Sequence, residues 1–301
     1  MLLTSKITQY LTENKGLLGI FPAFLFVLIF FVGGFLQSLC SSLGFGNQMG
    51  MDGHGFGWVY QEIMTPYYLQ AFGVTVLMAA VISVLAGVIG IIAALMLATL
   101  STKWKWLHIV FQLPVGVPHL LSAYMLTQVL MQTGWFSRIA FHLGWIDRFE
   151  RFPSMIHDTW GIGFILAYLW KEIPFIVLLI APFIAKLMAE WKETSIMLGA
   201  SPFQTVRWVI IPILMPLWVG GMWVTFAFAL GAYEIPALLA RTSFRFIPVL
   251  AWQEYTQFGL ERQPIAIALN MVLALVSFII GLILIYLQKK WYGEGRRIWN
   301  R

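Results

Sequence analysis

Two adjacent charges, Lys171 and Glu172, lie near the middle of an apolar segment over residues 160–187. Charged side chains at membrane depth are costly, so they normally face a bundle interior or a water-filled cavity. Neighbouring residues on a helix point about 100° apart and cannot form a good mutual ion pair. We therefore expect each charge to face a partner on another helix or subunit. Pro174 frees a backbone carbonyl and can kink the helix. The pattern suits a solute pathway or gate, and equally a structural role in bundle packing.

Polar residues also end the apolar segment over residues 208–235. Tyr233 and Glu234 lie at its last turn. The Glu234 carboxylate could attract a cationic solute, or it could pair with Arg241 or Arg245 and only shape the loop.

A run from Pro114 to Pro118 breaks a further apolar segment, over residues 107–131. The backbone groups that a broken helix exposes must face protein or water. His119 follows the break directly and suits a ligand contact or, more simply, packing and hydrogen bonding.

Motifs typical of enzymes are absent from the sequence. It contains no G-x-x-x-x-G-K-[ST] phosphate loop, no H-E-x-x-H and no Gly-x-Ser-x-Gly turn. The histidines are scattered without metal-ligand spacing on one helix face: His54, His108, His119, His142 and His157. We expect no metal and no cofactor, and a membrane-embedded enzyme using Lys171, Glu172 and Glu234 is a weak alternative.

The elements that position these residues are predicted to be membrane-spanning helices. Of the 301 residues, 60% are hydrophobic and only 11% are charged, whereas soluble domains carry about 25% charged residues. A spanning helix needs about 20 mostly apolar residues. Six segments qualify: residues 17–39, 70–98, 107–131, 160–187, 208–235 and 265–287. The fold class is therefore an all-α membrane protein with six transmembrane helices, and the net charge of +6 needs no nucleic acid to explain it.

The first apolar segment is interpreted as a retained span. Its length of about 23 residues exceeds a signal-peptide core, and no A-x-A-like cleavage site follows it. We expect residues 1–60 to form an N-terminal span with an outer loop, and residues 61–301 to form the transmembrane domain proper. The single cysteine, Cys40, allows no internal disulfide.

The lysines and arginines predict the orientation. With the N-terminus inside, twelve lie in inner segments and six in outer ones, which is the bias expected for cytoplasmic loops. The inner set is Lys6, Lys15, Lys103, Lys105, Lys186, Lys192, Arg207, Lys289, Lys290, Arg296, Arg297 and Arg301. The outer set is Arg138, Arg148, Arg151, Arg241, Arg245 and Arg262. We expect a multi-pass protein of the plasma (inner) membrane with both termini in the cytoplasm.

Three outer loops carry recognisable patterns. Residues 40–69 are rich in glycine and then in aromatic residues, and residues 132–159 suit an amphipathic helix on the outer surface. Residues 252–262 combine aromatic residues with charges of both signs, which suits docking of a partner or any solvated loop.

The polar interruption after residue 187 holds the most informative spacing. Apolar residues alternate with charges over residues 190–198, which predicts a short helix lying across the membrane. Gly199 is predicted to end it as a C-cap. Ser201 and Pro202 then supply an N-cap and a first-turn proline for the next helix.

This interruption resembles the cytoplasmic coupling motif of ABC importer permeases, which reads Glu-Ala-Ala, three residues, Gly, nine residues and Ile-x-Leu-Pro. Glu193 matches the glutamate, Thr194 and Ser195 stand in for the alanines, and Gly199 matches the glycine. Val209, Ile211 and Pro212 match the closing residues. The resemblance extends over roughly residues 70–290. It implies a type I importer fold with a five-span permease core and a cytoplasmic coupling helix that includes Glu193, Thr194, Ser195, Gly199, Ala200 and Pro212.

The resemblance also implies partners. ATP would be bound by a separate cytoplasmic ATPase, expected as a homodimer. A second and different permease would complete the pathway in the lipid membrane, and an extracytoplasmic solute-binding protein would deliver the solute. No nucleic-acid partner is implied.

Two sequence segments, residues 168–175 and residues 228–236, are similar to the polyamine branch of these permeases. That branch also resembles permeases for sulfate, ferric iron, thiamine and phosphonates. The acidic Glu172 and Glu234 fit putrescine or spermidine, with Lys171 and Tyr233 as further pathway candidates. A permease for another small solute is the first alternative. A self-contained secondary transporter is the other, and it predicts paired internal repeats, which the sequence does not show.

Overall fold

The computed structural model describes residues 15–44, 57–100, 106–240 and 245–299, with side chains outside 15–18, 108 and 291–299. All regular structure in these ranges is helical. The helices are α1 (Lys15–Ser42), α2 (Trp58–Ile63), α3 (Pro66–Thr99), α4 (Leu107–Gly116), α5 (His119–Leu130), α6 (Trp135–His142), α7 (Ile162–Met197), α8 (Pro202–Thr205), α9 (Ile211–Gly231), α10 (Glu234–Leu239), α11 (Ile247–Thr256) and α12 (Gln263–Trp299).

Five helical stretches are long and apolar enough to cross a membrane. They are Gly19–Ser42, Pro66–Thr99, Ile162–Met197, Pro202–Gly231 and Leu260–Lys290. Five of the six predicted spans are thereby confirmed, each with ends shifted by several residues.

The third predicted span, over residues 107–131, is not one straight helix. Ile109–Gly116 and His119–His142 meet at a bend of 108°, so a sixth crossing exists only if this pair counts as one span. The break has a local cause, because the ring of Pro118 pushes the preceding residue out of helical geometry. Val117 accordingly has extended backbone angles, with φ −82° and ψ 132°.

The helix predicted to lie across the membrane over residues 190–198 does not exist as a separate element. This stretch is the end of α7, which runs unbroken for 36 residues to Met197. No proline or glycine separates Pro182 from Gly199. Lys186 and Glu190 also face each other one turn apart, with Nζ 3.9 Å from Oε1. Helix propagation therefore continues until Gly199 stops it.

Close contact of α3 with α7 and α9 forms the centre of the bundle. Gly90 of α3 lies against Ile176 of α7 so tightly that an added Cβ would be 2.5 Å from the Ile176 Cγ2. Gly87, one turn earlier, lies in the same way under Met222 of α9. The Ser83 hydroxyl donates to the Met222 carbonyl at 2.6 Å. Small residues and interhelical hydrogen bonds of this kind stabilise helix packing in lipid, because the hydrophobic effect contributes little to helix association there.

Two separate apolar clusters fill the bundle, and α7 contributes to both. The first includes α7 residues up to Tyr168, with parts of α3, α9, α11 and α12. The second includes α7 residues from Ile173 onward, with the far ends of α3 and α9. Lys171 and Glu172 are buried in the stretch of α7 between the two clusters and belong to neither of them.

Helix α1 lies against α12 with its apolar side chains exposed along its length. Exposed apolar side chains on a spanning helix face lipid or another subunit. The domain boundary near residue 60 stays a prediction, and so does the cytoplasmic position of the termini. Lys6, Lys103, Lys105 and Arg301 lie outside the described residues, and Arg296 and Arg297 are described only by their backbone.

Candidate functional site

A cavity of about 180 Å³ lies beside the two charges of α7. The break between α4 and α5, the middle of α7 and the middle of α9 all contribute to its wall. Its lining consists of Val115, His119, Lys171, Glu172, Phe175, Val224 and Phe228. The structure therefore brings together three residues that the sequence singled out separately: the α7 charge pair and the histidine after the helix break.

Lys171 provides a hydrogen-bond partner at the break between α4 and α5. Its side chain is only 5% exposed, and its ammonium donates a hydrogen bond to the backbone carbonyl of Val117. Because Val117 is extended, its carbonyl has no place in a helical ladder, and a buried carbonyl without a partner costs about 1–3 kcal/mol. The expected partner on another helix is thus a backbone group, freed by the break at Pro118.

Glu172 is equally buried, with 6% of its surface exposed. The ion pairs of the described residues do not include one between Glu172 and Lys171, as their angular separation on the helix predicts. The Thr225 hydroxyl of α9 approaches the Glu172 carboxyl but outside good hydrogen-bond geometry. Tyr168, one turn earlier, also buries a hydroxyl without a partner in the described residues.

His119 is the first residue of α5. Its ring lies against Phe228, with centroids 4.4 Å apart, and no side chain caps the N-terminus of this helix. The first N–H groups of an uncapped helix are available as hydrogen-bond donors, and the helix dipole makes this end positive. The cavity is thus bounded by an uncapped helix N-terminus as well as by two charges.

Tyr233 and Glu234 do not line this cavity. Tyr233 stacks on Trp252 of α11 with ring centroids 5.2 Å apart, and Glu234 begins α10. Arg245 places its guanidinium 4.1 Å from the Tyr67 ring centroid rather than pairing with Glu234. Arg241 lies outside the described residues. The proposed pathway role of this pair stays a prediction.

Helices α7 and α8 meet at a sharply defined turn, which we call the α7–α8 corner (residues 193–205). Gly199 adopts φ +80°, a left-handed conformation that favours glycine. Its N–H donates to the Ile196 carbonyl and the Ala200 N–H donates to the Ser195 carbonyl, both at 2.9 Å. This is the Schellman arrangement that ends helices, and it confirms the predicted C-cap.

The second half of the corner is fixed by a capping box. The Ser201 N–H donates to Gln204 Oε1 at 2.7 Å, and the Gln204 N–H donates to Ser201 Oγ at 3.3 Å. Pro202 occupies the first turn of α8, as predicted. A five-residue π-helical turn, Val206–Ile210, then leads to Pro212 in the first turn of α9. Such a wide turn accommodates a proline, which has no N–H to donate.

The corner presents an apolar tip. Met197, Leu198 and Phe203 are 87%, 83% and 76% exposed. Glu193 and Thr194 are exposed beside them, whereas Ser195 is buried and donates its hydroxyl to the Trp191 carbonyl at 2.8 Å. Large apolar side chains held out on a rigid, doubly capped turn are typical of a surface that another protein covers.

The far end of the bundle holds a polar network that was not predicted from the sequence. Glu254 of α11 is buried, and its carboxylate accepts from the Tyr68 hydroxyl at 2.5 Å and from Arg262 Nε at 2.8 Å. Arg262 also reaches Glu62 of α2 at 3.3 Å. Glu254, one of the charges in the segment predicted to suit docking or a solvated loop, therefore connects α2, α3 and α11 with the turn before α12. Glu254 and Arg262 are eight positions apart, so their spacing in the sequence did not indicate that they form an ion pair.

Comparisons with known proteins agree with this arrangement. A model of the family "Binding-protein-dependent transport system inner membrane component" matches residues 86–292. The sulfate transport system permease protein CysT of Synechocystis sp. is 29% identical over 250 residues, covering 82% of each chain. The inner membrane ABC transporter permease protein YdcU of Escherichia coli is 29% identical over 182 residues, covering 57% of this chain and 56% of that protein.

Solved structures share the fold. A subunit of a bacterial ABC transporter that imports the acidic polysaccharide alginate superposes with a TM-score of 0.76 at 17% identity, over 95% of this chain and 99% of that one. The MetNI methionine ABC transporter gives a TM-score of 0.53 at 14% identity, over 75% and 99% of the two chains. Because the family match covers more than half of the sequence, the chain belongs to the family of inner-membrane components of binding-protein-dependent transport systems and is a transport subunit, not an enzyme.

Proposed function

We propose that this chain forms one half of the translocation pathway of an ATP-driven importer, with a second permease as the other half. Cytoplasmic ATPase subunits would bind the α7–α8 corner, and an extracytoplasmic solute-binding protein would deliver the solute at the opposite end. The apolar tip of the corner is the observation that carries the proposal. An exposed group of this size on a rigid turn gains stability only when a partner buries it.

The corner suits transmission of force as well as binding. Both of its helix ends are capped by backbone or side-chain hydrogen bonds, so the turn has no loose hinge. Movement of a bound ATPase would therefore pass directly into α7, which carries the cavity residues. Glu193 is exposed beside the tip and would pair with a basic group of the partner.

Leu198→Asp should release the ATPase subunits from the complex. Placing a carboxylate at a tip residue that the partner buries leaves an unpaired, desolvated charge, which costs several kcal/mol. The complex would be purified through the tagged permease, and the co-purifying ATPase quantified together with ATP hydrolysis. We expect both to fall to background, while the permease itself remains folded because Leu198 packs against little of its own chain.

Trp145→Asp is the matched control, since Trp145 is 76% exposed but lies beyond α6, outside the corner. It should retain the ATPase. Equal ATPase recovery from both variants would contradict the proposal, and purification of an active transporter without any ATPase would favour a secondary transporter instead.

The solute is proposed to be a small molecule bearing an oxyanion, either sulfate itself or an organic molecule that carries such a group. Two observations support this class: relatives named as sulfate permeases, and a cavity bounded by Lys171 and the uncapped N-terminus of α5. Helix N-termini and ammonium groups both favour oxyanions. Putrescine or spermidine is the second candidate, because Glu172 and Glu234 form no ion pair within the described residues.

Deleting the gene for this chain in its host should abolish uptake of the solute, and restoring it should recover uptake. Radiolabelled sulfate, taurine (2-aminoethanesulfonate) and putrescine would be compared in the same cells under starvation for each. We expect uptake of an oxyanion-bearing solute, sulfate or taurine, to be lost and putrescine uptake to be unchanged. The reverse pattern would assign the transporter to polyamines.

A further inference from the structure

The cavity presents opposite charges to one small volume. Lys171 and Glu172 both line it, and no ion pair within 4.0 Å joins them. We propose that this cavity binds a small zwitterion, a solute with an oxyanion and an ammonium group on one short chain. The inference deepens the proposed function by adding the ammonium group to the solute class, and it rests on that function only for the cavity's place in a transport route.

The oxyanion half of the site is built from Lys171 and the start of α5. An ammonium has three donors, and the described structure uses one of them on the Val117 carbonyl. The other donors of this ammonium are on a side chain that lines the cavity. The uncapped first turn of α5 begins at His119 on the same wall. Half-helices whose N-termini face a solute's anionic group are a recurring way to bind it at membrane depth.

The ammonium half is Glu172. As a residue it is only 6% exposed; it lines the cavity and has no ion pair in the described structure. A buried carboxylate without a cation is costly, and an inorganic oxyanion would increase that cost by placing a second negative charge beside it. A solute with its own ammonium would instead neutralise Glu172 while its oxyanion contacts Lys171.

The size and apolar walls of the cavity fit such a solute. Its volume of about 180 Å³ corresponds to roughly six water molecules, which is enough for two charged groups joined by a short carbon chain. Phe175, Val224 and Phe228 form apolar walls beside the charges. These side chains would cover the carbon chain between the two charged ends.

Three probes that share an ethyl chain can test this proposal directly: taurine, which carries both a sulfonate and an ammonium; ethanesulfonate, which carries only the anion; and ethylamine, which carries only the cation. The complete transporter with Val224→Cys would be placed in nanodiscs and reacted with N-ethylmaleimide. Protection of this cysteine by each probe would be measured by mass spectrometry. Cys40, the only natural cysteine, lies on α1 away from the cavity and serves as the internal control.

We expect taurine to protect Val224→Cys at about tenfold lower concentration than either single-charge probe, because one additional charged contact is worth about that factor. Added Glu172→Gln should make taurine no better than ethanesulfonate. Added Lys171→Met should make it no better than ethylamine. Protection of Cys40 should not change in any variant.

Three results would overturn the proposal. Equal protection by taurine and ethanesulfonate, strengthened by Glu172→Gln, would make the cavity a plain anion site. Equal protection by taurine and ethylamine would make it a cation site. Absence of protection by all three probes in the transporter that carries only Val224→Cys would show that the cavity binds no such ligand. None of these results bears on ATPase attachment at the corner, so failure here is distinguishable from failure of the proposed function.

Discussion

Lys171→Met should destabilise the protein by about 3 kcal/mol, the cost of removing a hydrogen bond from a charged donor to a buried carbonyl. The variant loses the Lys171 ammonium, which is the partner of the Val117 carbonyl among the described residues, at the break between α4 and α5. It also leaves the Glu172 carboxylate as the remaining buried charge of the cavity. At about 2.1 cal/mol/K per residue, the unfolding entropy of a chain of 301 residues converts this loss into a fall in melting temperature of about 5 °C, as measured on purified protein in detergent.

Lys186→Met is the matched control for this experiment. It makes the same substitution on the same helix, but Lys186 is exposed and its contact with Glu190 spans 3.9 Å. Exposed pairs of this kind contribute at most about 1 kcal/mol. A further variant, Lys171→Met with Glu172→Gln, should recover part of the loss because no uncompensated charge remains. Equal melting temperatures for Lys171→Met and Lys186→Met would show that the ammonium does not hold the break.

Gly90→Ala should separate α3 from α7 and cost about 1–3 kcal/mol, the usual range for overpacking a tight core. The new Cβ would lie 2.5 Å from Cγ2 and 2.7 Å from Cβ of Ile176. Ile176 is fully buried, and its branched Cβ cannot swing aside as the end of a flexible side chain would. We expect a lower melting temperature and reduced uptake, because α7, which the new methyl group would push away from α3, carries Lys171 and Glu172 of the cavity.

Gly220→Ala provides the comparison for Gly90→Ala. Gly220 is also inside a spanning helix, but a Cβ added there meets nothing within 4 Å. Alanine stabilises a helix interior by about 0.5–1 kcal/mol relative to glycine. The two glycine variants should therefore shift the melting temperature in opposite directions. Shifts of the same sign would contradict the close approach of α3 and α7.

The apolar segments and the corner could be predicted because their causes are local. A run of about 20 apolar residues specifies a span by itself. The caps at Gly199 and Ser201 follow from residues within one turn of each other. Pro118 likewise marks the helix break because its ring acts only on the residue before it.

The contacts that complete the site are not local, and the sequence carries no sign of them. The bond from Lys171 to Val117 joins residues 54 positions apart, and Tyr68 reaches Glu254 across 186 positions. Which backbone carbonyl a buried ammonium finds depends on how helices pack, not on the residues beside it. The continuation of α7 through residues 190–197 was missed for the opposite reason: amphipathic alternation indicates a helix but does not say where it joins the preceding one.

The unbroken run of α7 makes it a lever. From Pro174, next to the cavity, to Met197 at the corner are 23 residues, which is about 35 Å of helix. A tilt of about 10° around Pro174 would swing the corner by about 6 Å, so a modest stroke of a partner at the tip becomes a small, precise rotation at the charges. A displacement applied at the corner would therefore become smaller, and the force larger, by the time it reaches the Lys171–Val117 hydrogen bond.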